Sequence, residues 1–301
     1  MTLPSLTAII LTKNEELHVA RCIGSLKGCT ERIVIVDSLS TDKTVDLARE
    51  AGADVYQRPF RNYADQFNWA LDNCNITSSW TMRIDADEYV DADLSRNISK
   101  LLSTMPGDIT GVAVSRYISF LGRVIRHGGV SPQQLLKVWR TGLGRVESRW
   151  MDEHIVLANG EIASFNGALI DDNRKDISFW IEKHNRYAIR EMIDFINSEY
   201  HFYREEDLVG TAEEAKSKRF KKKSIYNRAP LLYRAIALFF YRYIFRLGFL
   251  DGKEGLSFAL LQTLWYRYLV DLKIMEAHAF IERAGLEAFK KTLKDQHGFQ
   301  L

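Results

Sequence analysis

Three cysteines, Cys22, Cys29 and Cys74, are odd in number and form no CxxC pair. That excludes a disulfide scaffold and a zinc ribbon, and predicts reduced thiols in a cytosolic compartment. The opening Met1-Thr2-Leu3-Pro4 lacks a charged segment followed by an apolar one, so no signal peptide is expected. Long uncharged runs are also missing. Within Arg228–Leu250 the longest is the seven residues Ala235–Tyr241, and Leu256–Tyr266 gives eleven, whereas a bilayer span needs about 20. There is no internal repeat and no low-complexity linker. Acidic residues are absent from Ala215 to Leu250, where ten Lys or Arg are found; removing those ten from a net charge of +2 leaves −8 for the remainder. An acidic body with one basic segment points to an anionic partner. No recognition-helix or single-strand platform accompanies the charge, so nucleic acid is not the expected partner.

What is present suits a large core: 301 residues, 46% of them hydrophobic, are ample for one large domain or a domain with an appendage. The first half alternates between two hydrophobic periods. Leu6–Leu11 and Arg32–Val36 are short, nearly continuous apolar runs, as in strands buried on both faces. Between and after them, Leu17, Ala20, Ile23 and Leu26 fall at helical spacing, and a second helix around Thr44–Glu50 stops at Gly52. Ala53–Gln57 and Trp80–Ile84 read as further strands and Tyr63–Asp72 as a helix. This alternation predicts an α/β fold with a mostly parallel sheet and helices on both faces, its ligand site beyond the carboxyl ends of the strands. After about Ile109 the chain becomes β-rich and irregular (Gly111–Phe120, Gln134–Trp139, His154–Ala158), and from Asp176 it turns helical. A boundary near residue 175 is expected, with 1–175 as the binding and catalytic domain and 176–301 as a helical region.

Polar motifs follow three of the apolar strands: Thr12-Lys13-Asn14-Glu15-Glu16, Asp37-Ser38-Leu39-Ser40-Thr41-Asp42-Lys43-Thr44, and Asp85-Ala86-Asp87-Glu88. Each alone has an ordinary reading as a turn or helix cap; together they place acidic and amide groups on one sheet edge. Two carboxylates one residue apart after a strand can hold a hard divalent cation, Mn²⁺ or Mg²⁺, and leave positions for phosphate oxygens. A diphosphate leaving group needs that neutralisation.

In this order, strand–TKNEE, strand–DSLSTDKT and strand–DADE, the chain resembles the inverting family 2 glycosyltransferases of the GT-A fold from residue 5 to about 160. The resemblance implies a UDP-sugar donor bound by Thr12, Asn14, Glu15, Asp37, Ser40, Asp42, Asp85 and Ala86. Asn14 and Glu15 would lie near the base, Asp37 near base or ribose, Asp85 by ribose and metal, and Asp87 on the metal directly. Where the family often has Asp-Gly after the first acid of the second motif, this chain has Ser38-Leu39. The family also places an acidic pair where this chain reads Asp152-Glu153. Glu153 is the expected base that removes the acceptor proton, with Asp152 beside it, and His154 would support the metal or diphosphate. Processive relatives carry QxxRW; here Val146 precedes Arg149-Trp150, which predicts a single addition. His127-Gly128-Gly129 reads as an acceptor-side loop or a plain glycine turn.

In the C-terminal third, aromatic and aliphatic residues interleave with Arg234, Arg242 and Arg246, the pattern of a helix lying in an anionic headgroup layer; Phe239, Phe240 and Tyr243 are the expected inserting side chains. Trp180–Tyr187 and Gly248–Gly252 resemble a bacterial subgroup that builds lipopolysaccharide core or other lipid-linked glycans. The combined expectation is a hexosyltransferase at the inner face of the cell membrane acting on a lipid-linked saccharide. A metal-dependent nucleotidyltransferase and a silent membrane scaffold are the alternatives. The first would normally show a Gly-rich basic N-terminal loop, where this chain has only Lys13.

Overall fold

The computed structural model describes residues 5–147, 154–202, 226 and 229–297. They form two compact units, one running to Arg174 and the other taking up the chain at Lys175.

The first unit is an α/β sandwich. Strands β1 (Leu6–Thr12), β2 (Arg32–Asp37), β3 (Asp54–Gln57) and β4 (Trp80–Arg83) lie in the order β3-β2-β1-β4, all parallel. Helices α1 (Val19–Leu26), α2 (Thr44–Glu50) and α3 (Tyr63–Asn73) supply the crossovers. Period-two alternation divides β1 between two cores. Leu6, Ala8 and Ile10 pack with Cys22, Ile23 and Leu26 of α1 and Ala48 of α2, whereas Ile9 packs with Ala64, Phe67 and Ala70 of α3. Such two-faced burial explains why these strands have continuous apolar sequences. Asn62 caps α3 by accepting from the Asp65 amide at 2.7 Å.

Beyond β4 the sheet is mixed, which the alternation did not foretell. β8 (Gln133–Arg140) pairs antiparallel with β4, and the order continues through β6 (Ile109–Phe120) and β11 (Glu161–Asp171) to β5 (Glu88–Val90). β6 is antiparallel to β8 and to the short β7 (Arg123–Ile125), yet parallel to β11. Helix α4 (Ala92–Thr104), capped by Asp91, sends Leu94, Ile98 and Leu102 into the larger core. β9 (Gly144–Val146) and β10 (Ile155–Leu157) form a separate antiparallel pair. Gly128 and Gly129 hold φ of +76° and +68°, a turn conformation that side-chain-bearing residues rarely adopt. All three cysteines are buried and free.

The second unit is helical. Helix α5 (Ile177–Tyr200) buries Ala188, Met192, Ile193 and Ile196 against Val270, Ile274 and Ala277 of α8 (Tyr266–Ala284), and α9 (Leu286–His297) adds Phe289 and Leu293. Helix α6 (Tyr233–Phe240) continues as a π-helical turn, Tyr241–Phe245; a 3₁₀ turn, Gly248–Asp251, reverses the chain into α7 (Gly252–Phe258), a second π-helical stretch, Ala259–Trp265, and α8. Arg234 bonds to Asp271 at 2.8 Å and Arg242 to Thr263 at 3.4 Å. The eight positions from Arg234 to Arg242 are thus matched by eight in reverse from Asp271 to Thr263, which defines an antiparallel helical hairpin with its tip near residue 250. The Arg234–Asp271 pair is buried, and the second Asp271 oxygen accepts the Leu232 amide at 2.7 Å. Among the described residues no helix is long and apolar enough to cross a membrane. Lys216, Lys218, Arg219, Lys221, Lys222, Lys223 and Arg228 lie outside the described residues.

Candidate active site

The three polar motifs meet at the carboxyl edge of β1, β2 and β4, linked by hydrogen bonds. The register opposes Thr12 to Asp37, and the Thr12 hydroxyl donates to Asp37 Oδ1 at 2.9 Å. Asp37 is fully buried; its Oδ2 accepts from the Ser40 amide at 2.8 Å and from Gln57 Nε2 at 3.1 Å. From α3, Gln66 Nε2 reaches Ser38 Oγ at 3.2 Å, and one turn earlier the Tyr63 hydroxyl donates to Asp85 Oδ1 at 2.9 Å. The N-terminal turn of α3 therefore bridges the second motif to the third.

The first two motifs are stitched to each other along their length. Lys13 Nζ donates to the carbonyls of Ser38 and Leu39 at 3.0 and 2.6 Å. The Asn14 amide donates to Ser40 Oγ at 2.8 Å, and Asn14 Oδ1 accepts from the Thr41 amide at 2.9 Å. The Glu15 amide donates to Thr44 Oγ1 at 2.7 Å, the Glu16 amide donates to Asp42 Oδ2 at 3.2 Å, and the Lys43 amide donates to Glu16 Oε2 at 3.1 Å. Burial would raise the Asp42 carboxyl, but donors from Thr44 and Glu16 outweigh it and hold the group below the usual carboxylate range. Leu39, where the family often has glycine, sits at φ +61° with 47% of its surface exposed. The Glu15 carboxylate meets His18 Nδ1 at 2.6 Å. His18 is buried and its Nε2 accepts the Arg174 amide at 2.8 Å, so Nδ1 carries the proton that Glu15 accepts.

Asp85-Ala86-Asp87-Glu88 forms a tight turn closed by the Glu88 amide donating to Asp85 O at 2.9 Å. Ala86 is buried. Asp87 Oδ2 accepts from Asn173 Nδ2 at 3.0 Å, and its carbonyl accepts from Arg21 and from the Asp172 amide. Beneath the turn lies a charge network that the sequence reading missed. Lys137 of β8 is 3% exposed, and its Nζ lies 2.7 Å from Glu88 Oε2 and 3.3 Å from Asp85 Oδ2. Glu88 is fully buried; it also accepts from Arg116 Nε at 3.0 Å and from the Asp85 amide at 3.0 Å. Arg116 pairs in turn with Asp171. Arg83 stacks over the Tyr63 ring at 4.3 Å and stands 3.9 Å from Asp85.

These cations set the state of Asp85. Burial alone would raise its pKa, but Lys137, then Arg83 and Arg116, hold the carboxyl well below the ordinary range although 34% of its side chain is exposed. Burial followed by the Asp85 charge pushes the Tyr63 phenol well above its usual value, so it remains a donor to Asp85. The only sequence signals for Lys137 and Arg116 were cations inside strand-like segments.

The remaining expected site residues fall elsewhere or outside. His154 immediately precedes β10, its backbone paired with Glu147. Among the described residues no three His, Cys, Asp or Glu side chains are grouped to hold one metal ion, so Asp85, Asp87 and His154 make no three-ligand cluster. Asp152, Glu153 and the Arg149-Trp150 pair lie outside the described residues.

An open α/β sheet with polar groups gathered where its strand order reverses is the architecture of nucleotide-using enzymes. The chain belongs to glycosyl transferase family 2, whose profile matches residues 7–174. This decides for glycosyl transfer over nucleotidyl transfer. It is 29% identical over 288 residues to the lipopolysaccharide core biosynthesis glycosyltransferase LpsC of Rhizobium meliloti (strain 1021), covering 94% of this chain and 96% of that one. A glycosyltransferase of Rickettsia conorii is 38% identical over 99 residues, a third of each chain. Among solved structures, the mannosyltransferase PcManGT from Pyrobaculum calidifontis, in complex with GDP-Man and Mn²⁺, aligns over 91% of this chain and 88% of its own with a TM-score of 0.50 and 14% identity. That likeness establishes the GT-A fold.

Proposed function

We propose that the chain is an inverting, non-processive hexosyltransferase that takes a sugar from a UDP-sugar and adds it to a hydroxyl of a lipid-linked or lipopolysaccharide-core saccharide. It would act in the cytoplasm at the inner face of the cell membrane. The observation that carries the reading is the junction of three strand ends through Thr12–Asp37, Gln66–Ser38 and Tyr63–Asp85, the last of these in the turn that also holds Asp87. The near full-length likeness to LpsC supports the acceptor class.

The acidic turn fits a hard divalent cation, Mn²⁺ or Mg²⁺. Asp87 gives one oxygen to Asn173, and Asp85 takes one donor on each oxygen. A carboxylate offers about four lone-pair sites, so both keep capacity for a ligand. Such cations are commonly held by one or two carboxylates together with substrate phosphates, which suits a turn with two carboxylates rather than a complete cage. We assign Asp87 and Asp85 to the metal, with His154 in support. When bound, the cation would neutralise charge on the departing diphosphate.

The chain's own groups divide the other tasks. The stitched loops carrying Asn14, Glu15, Asp37, Ser40 and Asp42 shape the nucleoside side of the edge, with Thr12 bracing Asp37 and Ala86 setting the turn. Glu153, with Asp152 beside it, accepts the proton of the acceptor hydroxyl while its oxygen bonds to the anomeric carbon and the nucleoside diphosphate leaves on the opposite face. The decisive experiment follows nucleotide release and product stereochemistry by NMR with UDP- and GDP-sugars, with and without Mn²⁺. UDP release with inversion at the anomeric carbon is expected. A retained anomer would overturn the mechanism, and turnover of GDP-sugars alone would overturn the donor.

A further inference from the structure

The helical hairpin of the second unit has a surface that its own packing does not explain. Of the 21 large hydrophobic side chains that stand exposed among the described residues, eleven lie between Tyr233 and Leu260, a concentration that marks an interaction surface rather than ordinary scatter. Tyr233 is 74% exposed, Phe240 50% and Phe245 75%, and the exposure continues around the reversal through Leu247, Phe249 and Leu250 at 45–49%. Tyr241 between them is also 50% exposed, whereas Phe239 and Tyr243 are half-buried. Phe239 stacks on Tyr243 at 5.6 Å with planes 9° apart, and Tyr243 meets Phe249 edge-on at 6.3 Å, so the tip is braced by its own rings. This refines the expectation from sequence: of Phe239, Phe240 and Tyr243, Phe240 is exposed and the other two are half-buried.

The exposed charges at the tip are cationic, although Lys253 Nζ lies 3.9 Å from the Glu254 carboxylate. Arg246 is exposed and the Lys253 side chain is 92% exposed, whereas Asp251 is 2% exposed and the Glu254 side chain 18%. The preceding chain back to Ala215 carries no acid at all. An apolar, aromatic-rich tip flanked by cations is complementary to an anionic lipid surface, where apolar groups enter the acyl boundary and cations stay with the phosphates. A second copy of the chain fits less well, because the interface would have to desolvate Arg246 and Lys253.

We infer that the hairpin tip, led by Phe245, Leu247, Phe249 and Leu250 and flanked by Arg246 and Lys253, inserts into the headgroup layer of an anionic membrane. The inference rests on the membrane location in the proposed function and names the element that makes the contact. Among the described residues no helix is long and apolar enough to cross a bilayer, and the inferred contact is an interfacial one.

The test is flotation of the full chain with vesicles of phosphatidylethanolamine and phosphatidylglycerol, beside phosphatidylcholine vesicles. Wild type should float with the anionic vesicles only. Combined Phe245→Ser, Leu247→Ser and Leu250→Ser should lower the partition coefficient about a hundredfold, while circular dichroism and release of UDP from the donor stay at wild-type levels. Arg246→Glu with Lys253→Glu should weaken binding and flatten its salt dependence. In a separate variant, Phe249→Trp should give emission that shifts blue on vesicle addition and is quenched by brominated lipid. If wild type and the serine variant float equally, the tip is not the anchor, although the membrane location stands. If wild type fails to float, the location itself fails. A dimer in light scattering that the serine variant abolishes would assign the surface to a second copy and overturn the inference.

Discussion

Lys137→Met tests the buried network beneath the acidic turn. The ammonium lies 2.7 Å from Glu88 and 3.3 Å from Asp85, with the Lys137 side chain 4% and the Glu88 side chain 1% exposed. Removing one member of such a pair leaves a buried charge uncompensated, which costs about 3–5 kcal/mol. Arg116 remains 3.0 Å from the other Glu88 oxygen, so the low end, about 3 kcal/mol, is expected. The measurement is urea unfolding followed by hydrogen exchange in β4 and β8, which reports this unit alone. Adding Glu88→Gln to Lys137→Met should recover about 1–2 kcal/mol, because the stranded charge is then gone. The pH dependence has a definite sign. The native Asp85 pKa is depressed by Lys137, Arg83 and Arg116 against burial, so its contribution is complete above the unfolded value of about 4 and is lost as pH falls through the lower native value. Lys137→Met should flatten that acid limb. A loss below about 1 kcal/mol, or a double variant costing the sum of the two singles, would refute the account of the network.

Other perturbations address the chemistry and the loops. Asp87→Ala should abolish sugar transfer with the fold retained, since the half-buried side chain accepts from Asn173 and is not part of a hydrophobic core; full activity in EDTA would remove the metal from the proposal. Glu153→Gln should lower kcat strongly with little change in donor affinity, and Asp152→Asn should be milder; the reverse order would move the base to Asp152. Leu39→Gly should raise stability by about 0.5–1 kcal/mol, because glycine adopts a φ of +61° without the strain of a branched side chain; thermal unfolding that is unchanged or lower would contradict this.

The parallel half of the fold was legible because β1, β2 and β4 are buried on both faces and therefore written as apolar runs. Helix α3 announced itself through Tyr63, Phe67 and Ala70 at helical spacing. β11 was missed: its eleven residues include Ser164, Asn166 and Gly167, which break the alternation a strand usually shows. β5 escaped because three residues carry too little pattern. At the site, the motifs identified the acidic edge, since they are contiguous in sequence. The groups that control it were not visible. Lys137 and Arg116 come from β8 and β6, and only the register of β4, β8, β6 and β11 brings them to Asp85 and Glu88. Similarly, hydrophobic composition suggested a lipid-facing segment, but its π-helical turns and their phase decide that Phe245 stands exposed while Tyr243 is half-buried against Phe239.

The hydrogen bonds joining residues 13–16 to residues 38–44 have a consequence for anyone recombining this enzyme with its relatives. Five hydrogen bonds run from Lys13 and the amides of Asn14, Glu15 and Glu16 to the second loop, and the amides of Thr41 and Lys43 donate back to Asn14 and Glu16, so the conformation of each loop depends in part on the other. The two stretches are about 25 positions apart in the chain, yet they form one heritable unit. A chimaera that imports a foreign second loop onto the native first would separate partners that hold each other in place. Exchanging both together moves the hydrogen-bonded pair intact, and substitutions within the pair should be scored jointly rather than added.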